Sequence, residues 1–502
     1  MFIKYQIYKK QVSDNGMDWN DTDEKRKGSI LGIYETLAAC EGGEDPDTPY
    51  PDNPNDPDYG KPYSDRYFTI EMLEDGKVKL VSGSAWSRRD NKKYSINRED
   101  WVDFANSGTI YTNGISLKKG DVIRFRAEKN YQGYQIGTDS MFSVSGEFKV
   151  YGTLMSLTSN KITWVNEYED RYVCKNMLRN NKTLVDASNL IFPDAAPDYA
   201  FQNMFSGCSN LKKAPKVLPA KVLGKYAYGG MFYQCQALTE APELQFVEVD
   251  DYSCDNMFYW CTVLEKVQDI LYPTELKERS YCSMFEYCHQ ALKKAPELPV
   301  TKMGIQSCED MFARCTALVE GPTVLPAMEA RHMCYAGMFR ECTSLTKPPK
   351  LPATELVSSC YSGMFEKCTS LTEAPALPAT TLANHCYYAM FKGCTSLEKA
   401  PDLLATELAE HCYAVMFADC TSLETAPDLL ATTLVYDCYW SMFDRCSKLN
   451  YVKCLAEKYD KETCYEWLND VSPTGTFIKK KGVNWENGAS GIPTNWTVEE
   501  VD

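Results

Sequence analysis

Cysteine is the residue type with the greatest chemical potential in this chain, which has 22 cysteines among 502 residues. The stretch CYYAMFKGC, which begins at Cys386, places two thiols eight residues apart, and similar stretches begin at Cys360, Cys412 and Cys438. Thiols form disulfides, bind metal ions or act as nucleophiles, and a buried thiol also packs as a small apolar group. Which of these roles applies depends on how the surrounding secondary structure positions the thiols.

These stretches belong to a repeat. A Met-Phe pair returns every 26 or 27 residues, with its methionine at 204, 231, 257, 284, 311, 338, 364, 390, 416 and 442. Met177-Leu178 is a degenerate copy one period earlier. Self-similarity at this period is typical of a solenoid, and it predicts a leucine-rich-repeat-like array of about 11 coils, an α/β repeat with one short helix and one short strand per coil.

The apolar residues of one coil predict these two elements. Four residues with the spacing i, i+4, i+5 and i+8 predict one face of a two-turn helix: Cys360, Met364, Phe365 and Cys368. Three later residues mark an extended segment that pairs with the next coil: Leu371, Ala374 and Leu377. Pro375 cannot donate to a parallel ladder, so any strand here is short and ends near the Ala-Pro pair.

This geometry favours core packing for the cysteines. Residues eight apart on a helix are about 12 Å apart, beyond the limit of about 7 Å between the Cα atoms of a disulfide. The first cysteine of a coil is replaced by Ala200 and Ala227 in early coils, whereas the second keeps its place four residues after each methionine. Occasional disulfides and metal binding stay open as alternatives. A dyad of Cys386 with His385, repeated one coil later, is disfavoured because adjacent helical residues point in different directions.

Tyrosines follow the first cysteine in five consecutive coils, at 335, 361, 387, 413 and 439. They are expected to stack into a ladder along the array. The favoured interpretation is an aromatic seam that holds the coils together, and the alternative is a partly exposed stripe that binds a glycan or a protein.

The rest of the chain divides by composition. We predict a β-hairpin module at 1–40, an acidic, Pro-rich linker at 41–64, a β-sandwich domain at 65–158, the solenoid at 159–453 and a C-terminal cap at 454–502. A calcium site in the linker is disfavoured because the regular D-x-D-x-D-G spacing is missing. Strands are expected in four runs of the sandwich: RYFTIEML, KVKLVSG, GISLKKGDVIRFRAE and GEFKVYG.

Charge limits the classes of partner. The formal net charge of −16 argues against nucleic acid and against docking on an anionic membrane, because both need concentrated Lys and Arg. The N-terminus, MFIKYQIYKKQVSDNGMDW, alternates apolar and polar residues and does not read as a signal peptide. We therefore expect assembly in a cytoplasm without an encoded export route.

The coil text MFKGCTSLEKAPDLLATEL, with LPAT at 351–354 and 377–380, resembles the bacterial surface-protein type of leucine-rich repeat of the Bacteroides group. The flanks FKVYGTLMSL (148–157), KTLVDASNLIFP (182–193) and the closing CYEWLNDVSPTGTFIKKKGVNWENGASGIPTNWTV also resemble that family. The opening YKKQVSDNGMDWNDTDEKRKGSILGIYETLAAC is similar to a short module at the start of phage and prophage tail-associated proteins, although its Asp-box-like turn is one residue short.

The resemblance implies a protein of the phage tail that is not an enzyme and needs no cofactor, and whose array binds a host-surface glycan or protein. The N-terminal module would bind other virion tail proteins. The missing export signal fits a virion protein that is assembled in host cytoplasm. Alternatives are a tail component that contacts only virion proteins and a bacterial cell-surface adhesin, with a glycan-degrading enzyme last. Homo-oligomerisation stays open.

Ligand contacts on the strand side are expected to flank the Ala-Pro pairs. Six residues are candidates: Lys213, Glu240, Lys294, Glu373, Lys399 and Asp402. The alternative for these residues is an ordinary solvated face.

Overall fold

A computed structural model describes residues 67–81, 92–104, 109–127, 140–158 and 174–502. The expected hairpin module at 1–40 and the linker at 41–64 lie outside the described residues. The remaining part, Tyr67–Asp502, forms one compact unit. Among the described residues, no helix combines the length and the apolar character that a membrane crossing needs.

Short strands precede the repeat in the chain. They are β1 (Phe68–Met72), β2 (Gly76–Leu80), β3 (Lys92–Ile96), β4 (Val102–Asp103), β5 (Ile115–Leu117), β6 (Val122–Ala127), β7 (Phe142–Ser145) and β8 (Phe148–Thr153), with a helical turn α1 (Thr109–Thr112) and a 3₁₀ helix η1 (Leu154–Thr158). Each of the four predicted runs contains a strand. The strands β3, β4 and β7 lie outside those runs.

These strands form two sheets, with the orders β4-β3-β6-β1-β8-β9 and β5-β2-β7, where β9 is Leu184–Ile191. Their inner faces contact one another, because the ring of Phe142 in one sheet lies 5.0 Å from that of Phe125 and 5.5 Å from that of Phe68 in the other. Alternating burial along β8 reflects the period of two that a half-buried strand imposes on its side chains.

Strand β9 joins this sheet to the repeat. It pairs in parallel with β8, and its Asp186 forms a parallel bridge with Lys213 of the next coil. The buried Asn181 reinforces the junction, since its side-chain amide donates to the carbonyl of Phe142 and its Oδ1 accepts from the backbone N–H of Val144. One continuous hydrophobic cluster runs from Phe68 to Trp496. The first sheet therefore covers the N-terminal face of the array.

The expected two-turn helix in each coil is wrong. In residues 359–368 every fourth residue has a left-handed φ: Ser359 at 58°, Gly363 at 59° and Lys367 at 58°. Alternate amides close turns onto the carbonyl three residues earlier, as from Met364 to Tyr361. The amides between them donate to the next coil, as from Phe365 to Met390. These ten residues, and their equivalents in other coils, are called the turn segment.

The turn segment nevertheless buries the predicted side chains. A period of four places residues i, i+4 and i+8 on the same face, as a helix approximately does. Cys360, Met364, Phe365 and Cys368 are accordingly fully buried. In a stack of turn segments, half of the backbone amides donate along the array to the next coil. In an α-helix the same amides would donate to carbonyls of the helix itself.

The extended part of each coil pairs only briefly. It forms two parallel pairs, β10 (Val217–Leu218) with β12 (Glu243–Leu244) and β11 (Val222–Leu223) with β13 (Glu248–Val249). Elsewhere among the described coils the pairing consists of isolated bridges, such as Glu373 with Lys399. The prediction of a short pairing is confirmed. Its predicted end near the Ala-Pro pair is wrong, because β10 begins two residues after Pro215 and Leu429 bridges Cys454 beyond Ala426-Pro427.

The C-terminal residues form a parallel sheet of β14 (Tyr451–Cys454), β15 (Thr476–Lys480) and β16 (Thr497–Val501), with a 3₁₀ helix η2 (Lys461–Thr463). The fully buried Trp467 takes the place of the next ladder tyrosine and stacks on Tyr439 at 5.9 Å. On its other side it stacks on Trp485 at 5.5 Å. These indoles cover the last aromatic ring of the array.

Candidate functional site

The cysteines of the described residues are free and buried. The second cysteine of each coil donates its S–H to the carbonyl of the preceding coil's phenylalanine, as from Cys368 to Phe339 at 3.2 Å. Across the array this contact measures 3.0 to 3.3 Å, and Leu178 replaces the phenylalanine in the degenerate first copy. The sequence signal was the fixed place of the second cysteine, which packing alone does not require.

Burial also makes these thiols poor nucleophiles. It raises the pKa of the thiols of Cys386 and Cys394 to about 12, and a nucleophilic cysteine needs a thiolate. His385, the neighbour of Cys386, instead stacks on His411 with ring centroids 4.5 Å apart. Among the described residues, no group of three or more His, Cys, Asp or Glu side chains is placed to hold a metal ion.

Two aromatic ladders run through the core. Ten phenylalanines from Phe205 to Phe443 stack with centroids 5.3 to 5.7 Å apart and nearly parallel planes. The five predicted tyrosines from Tyr335 to Tyr439 stack at 5.8 to 6.3 Å, and each is at most 2% exposed. The ladder prediction is confirmed, and such burial supports a seam rather than a binding stripe.

A network of half-buried charges lies on the outer side of the middle turn segments. The Asp310 carboxylate accepts from the Arg340 guanidinium at 2.9 Å. Burial raises the pKa of Asp310 to about 7, and the carboxylates of Glu286 and Glu309 add to this shift while Arg340 opposes it. Gly337 has a φ of 61°, and a Cβ there would lie 2.1 Å from Asp310 Oδ1, so glycine makes room for the carboxylate.

The strand side carries the predicted ligand residues. Parallel bridges join some of the charged residues that occupy equivalent places in successive coils, as Glu240 with Lys266 and Glu373 with Lys399. We call the row of these residues the charged ladder: Asp186, Lys213, Glu240, Lys266, Lys294, Glu320, Lys347, Glu373 and Lys399. Five of the six candidates belong to it. Asp402 lies three residues after Lys399, at the place that Lys216 and Glu243 occupy in their own coils. All six side chains are exposed, but they are spread along the array and do not form one site.

Two of the candidates line a groove. Lys213 and Glu240 border a cavity of about 670 Å³ that crosses consecutive coils at the N-terminal end of the charged ladder. Its floor includes Ala214-Pro215 and Ala241-Pro242. Its other charged residues, which the sequence analysis missed, are Lys212, Lys216, Glu243 and Lys266. A signal was present, because the segment LKKAPKVLPAKVLGK (211–225) has five lysines and no acid in a chain of net charge −16.

Two carboxylates near the groove already accept hydrogen bonds from neighbouring side chains. Asp186 pairs with Lys213 at 3.3 Å and accepts from the N–H and hydroxyl of Ser188. Burial tends to raise the pKa of Asp186, but these hydrogen bonds and Lys213 outweigh burial and hold it below the ordinary range. The Glu243 carboxylate accepts from the Gln245 side-chain amide at 2.9 Å.

No family model matches this chain, and no curated protein is significantly similar to it. A leucine-rich cell surface protein from Faecalibacterium prausnitzii is 18% identical over 56% of this chain and 75% of that one, with a TM-score of 0.28. A leucine-rich repeat protein from Bacteroides ovatus is 14% identical over 58% of this chain and 92% of that one, with a TM-score of 0.19. At such TM-scores the likeness carries no argument about function, and neither of the two is described as a phage protein.

Proposed function

We propose that this protein is a non-catalytic recognition protein whose array binds a ligand on a host cell surface. The observation that carries the proposal is the groove of about 670 Å³, which has four exposed lysines at its rim in a chain of net charge −16. The coils that line the groove also contain the stacked, buried rings of Phe205, Phe232 and Phe258, and a rigid support reduces the ordering cost of binding.

The finer part of the proposal is that the protein belongs to a phage tail, to which its N-terminal module attaches it. Support for this part is the resemblance of the first 40 residues to tail-associated proteins. Detection of the chain in purified particles by mass spectrometry is the expected result. Its presence on the outer surface of uninfected bacteria instead would identify it as a cell-surface adhesin and contradict the virion assignment.

Binding is tested with the purified full-length chain, a panel of Bacteroides-group strains and flow cytometry. We expect saturable binding to the strain that is susceptible to the phage carrying this protein. Adding the purified chain as a competitor should reduce infection by that phage in a dose-dependent manner. An unrelated acidic protein of similar size serves as the control. Binding to none of the strains, with infection unchanged, would contradict a recognition role and favour a purely structural tail component.

A further inference from the structure

The groove combines an apolar floor with a charged rim. Pro215 and Pro242 are buried in the floor beside Ala214 and Ala241. The rim carries four lysines and two glutamates, all of them exposed: Lys212, Lys213, Lys216, Lys266, Glu240 and Glu243. A ligand in the groove therefore meets flat apolar groups below and mostly ammonium groups around it.

Three of these lysines have no carboxylate partner. Within the part of the chain that the structure describes, Lys213 pairs with Asp186, whereas Lys212, Lys216 and Lys266 form no ion pair. Elsewhere along the described strand side, Lys347 pairs with Glu320 and Lys453 with Asp428, whereas Lys294 and Lys399 form no ion pair but lie in separate coils. The groove differs because three unpaired lysines border the same cavity. Unpaired cations that converge on one concave surface favour an anionic ligand.

The dimensions and the lining narrow the class of ligand. A volume of about 670 Å³ lies within the range of roughly 300 to 1,000 Å³ that is usual for small-ligand sites, whereas a protein partner typically buries about 800 Å² on each side of a broad interface. The lining has no aromatic side chain on which a nucleobase would stack. A short segment of an acidic glycan satisfies both constraints, because its rings have apolar C–H faces and its substituents carry the charge.

We propose that the groove binds acidic sugars, with the ring faces on the two Ala-Pro pairs and the carboxylate or sulfate groups near Lys212, Lys216 and Lys266. This inference rests on the proposed recognition function and specifies its ligand.

The test uses the full-length chain and three immobilised probes in biolayer interferometry: polygalacturonate, dextran sulfate and neutral dextran. The probes separate carboxylate from sulfate recognition. The variant K212Q/K216Q/K266Q removes the three unpaired lysines. The variant K294Q/K350Q/K399Q removes the same charge from exposed lysines of later coils, which form no ion pair in the described residues, and is the matched control. Equal melting temperatures establish that both variants are folded.

We expect one acidic probe to bind the wild type and the control variant, and we expect the groove variant to lose at least tenfold in affinity. Binding should also weaken as NaCl is raised, because salt screens exposed charges. Equal losses in both variants would show a diffuse charge effect and overturn the proposal. Binding to host cells or to an acidic protein, but to neither acidic probe, would overturn the ligand class and leave the recognition function standing. Failure to bind either cells or probes would refute both.

Discussion

The turn segment and the charged ladder of the same coil follow opposite rules. In the turn segment, cysteine, methionine and phenylalanine return at the same places, and their side chains are fully buried. In the charged ladder, the equivalent place holds lysine in some coils and an acid in others, and all the side chains are exposed except the half-buried Asp186 and Glu320.

This contrast indicates which part of a coil tolerates substitution. A side chain of the turn segment contacts its own equivalents in both neighbouring coils, so a change there disturbs three coils. A ladder side chain contacts solvent and its neighbours' charges, which contribute little energy at the surface. Stability should therefore reside in the turn segments and specificity in the ladder.

The largest expected effect comes from Phe312→Ala. Phe312 is fully buried and stacks on Phe285 and Phe339 at 5.5 and 5.7 Å. We expect a loss of about 3–5 kcal/mol in the free energy of unfolding, measured by urea denaturation. The exposed Lys302, in the extended segment of the preceding coil, is the control, and Lys302→Ala should cost less than about 0.5 kcal/mol. Similar losses in both variants would contradict the assignment of stability to the turn segments.

A pH-dependent effect is expected at Asp310. Its pKa of about 7 lies above the ordinary value, so between pH 4 and pH 7 the folded chain binds this proton more tightly than the unfolded chain. The contribution of this group to stability is therefore present at low pH and is lost as the pH rises through 7. We expect it to amount to roughly 1 kcal/mol between pH 5 and pH 8, about half of what the full pKa difference gives over this range, because solvent reaches part of the side chain.

Thermal unfolding of the wild type and Asp310→Asn at pH 5 and pH 8 tests this effect. The melting temperature of the wild type should be lower at pH 8 than at pH 5, and this decrease should be smaller in Asp310→Asn. Asp402→Asn, at an exposed position on the strand side, should keep all of it. An unchanged pH dependence in Asp310→Asn would rule out Asp310 as the source.

Within one turn segment, the two cysteines should differ. Cys342 donates to the carbonyl of Phe312 at 3.1 Å, whereas no such bond involves the equally buried thiol of Cys334 in the described structure. We expect Cys342→Ala to cost about 1 kcal/mol more than Cys334→Ala in urea denaturation, because only the former breaks a hydrogen bond from a thiol to a carbonyl. Cys342→Ser, which keeps a donor, should recover part of the loss. Equal costs for both alanine variants would leave the thiol with a packing role alone.

The smallest effect is expected in the charged ladder. Lys399→Glu places a second acid beside Glu373, with which Lys399 forms a bridge. We expect a loss below about 1 kcal/mol at low salt, which 0.5 M NaCl should largely remove because exposed charges are screened. Lys399→Gln controls for loss of the lysine. A larger loss that persists in salt would assign a structural role to the charged ladder.

The sequence predicted the repeat and its buried residues but not the backbone that carries them. A spacing of four between Cys360 and Met364 fits both an α-helix and a four-residue turn. The left-handed positions would have separated the two conformations, but many are occupied by ordinary residues such as Ser359, Lys367 and His385 rather than glycine. Helical periodicity was therefore the wrong interpretation of a correctly identified face.

The candidate site was predicted only in part. Lys213 and Glu240 line the groove, whereas Lys294, Glu373, Lys399 and Asp402 lie in later coils away from it. Residues that flank an Ala-Pro pair recur in many coils. Their spacing therefore predicts the strand side of the array but not which coils form the groove. The groove is lined by residues 212–216, 239–243 and 266–268 of successive coils, so the sequence of a single coil does not encode it.

The alternation of hydrogen bonds in the turn segment also governs which insertions the array accepts. Coils differ in length by one residue, yet the left-handed positions keep the same offsets from the second cysteine in coils of either length. One extra residue within a turn segment would exchange the amides that close turns with those that reach the next coil, and it would turn buried side chains outward. The array should therefore accept insertions or deletions of whole coils, or of single residues in its extended segments. Within a turn segment, the spacing of four residues between left-handed positions should be retained.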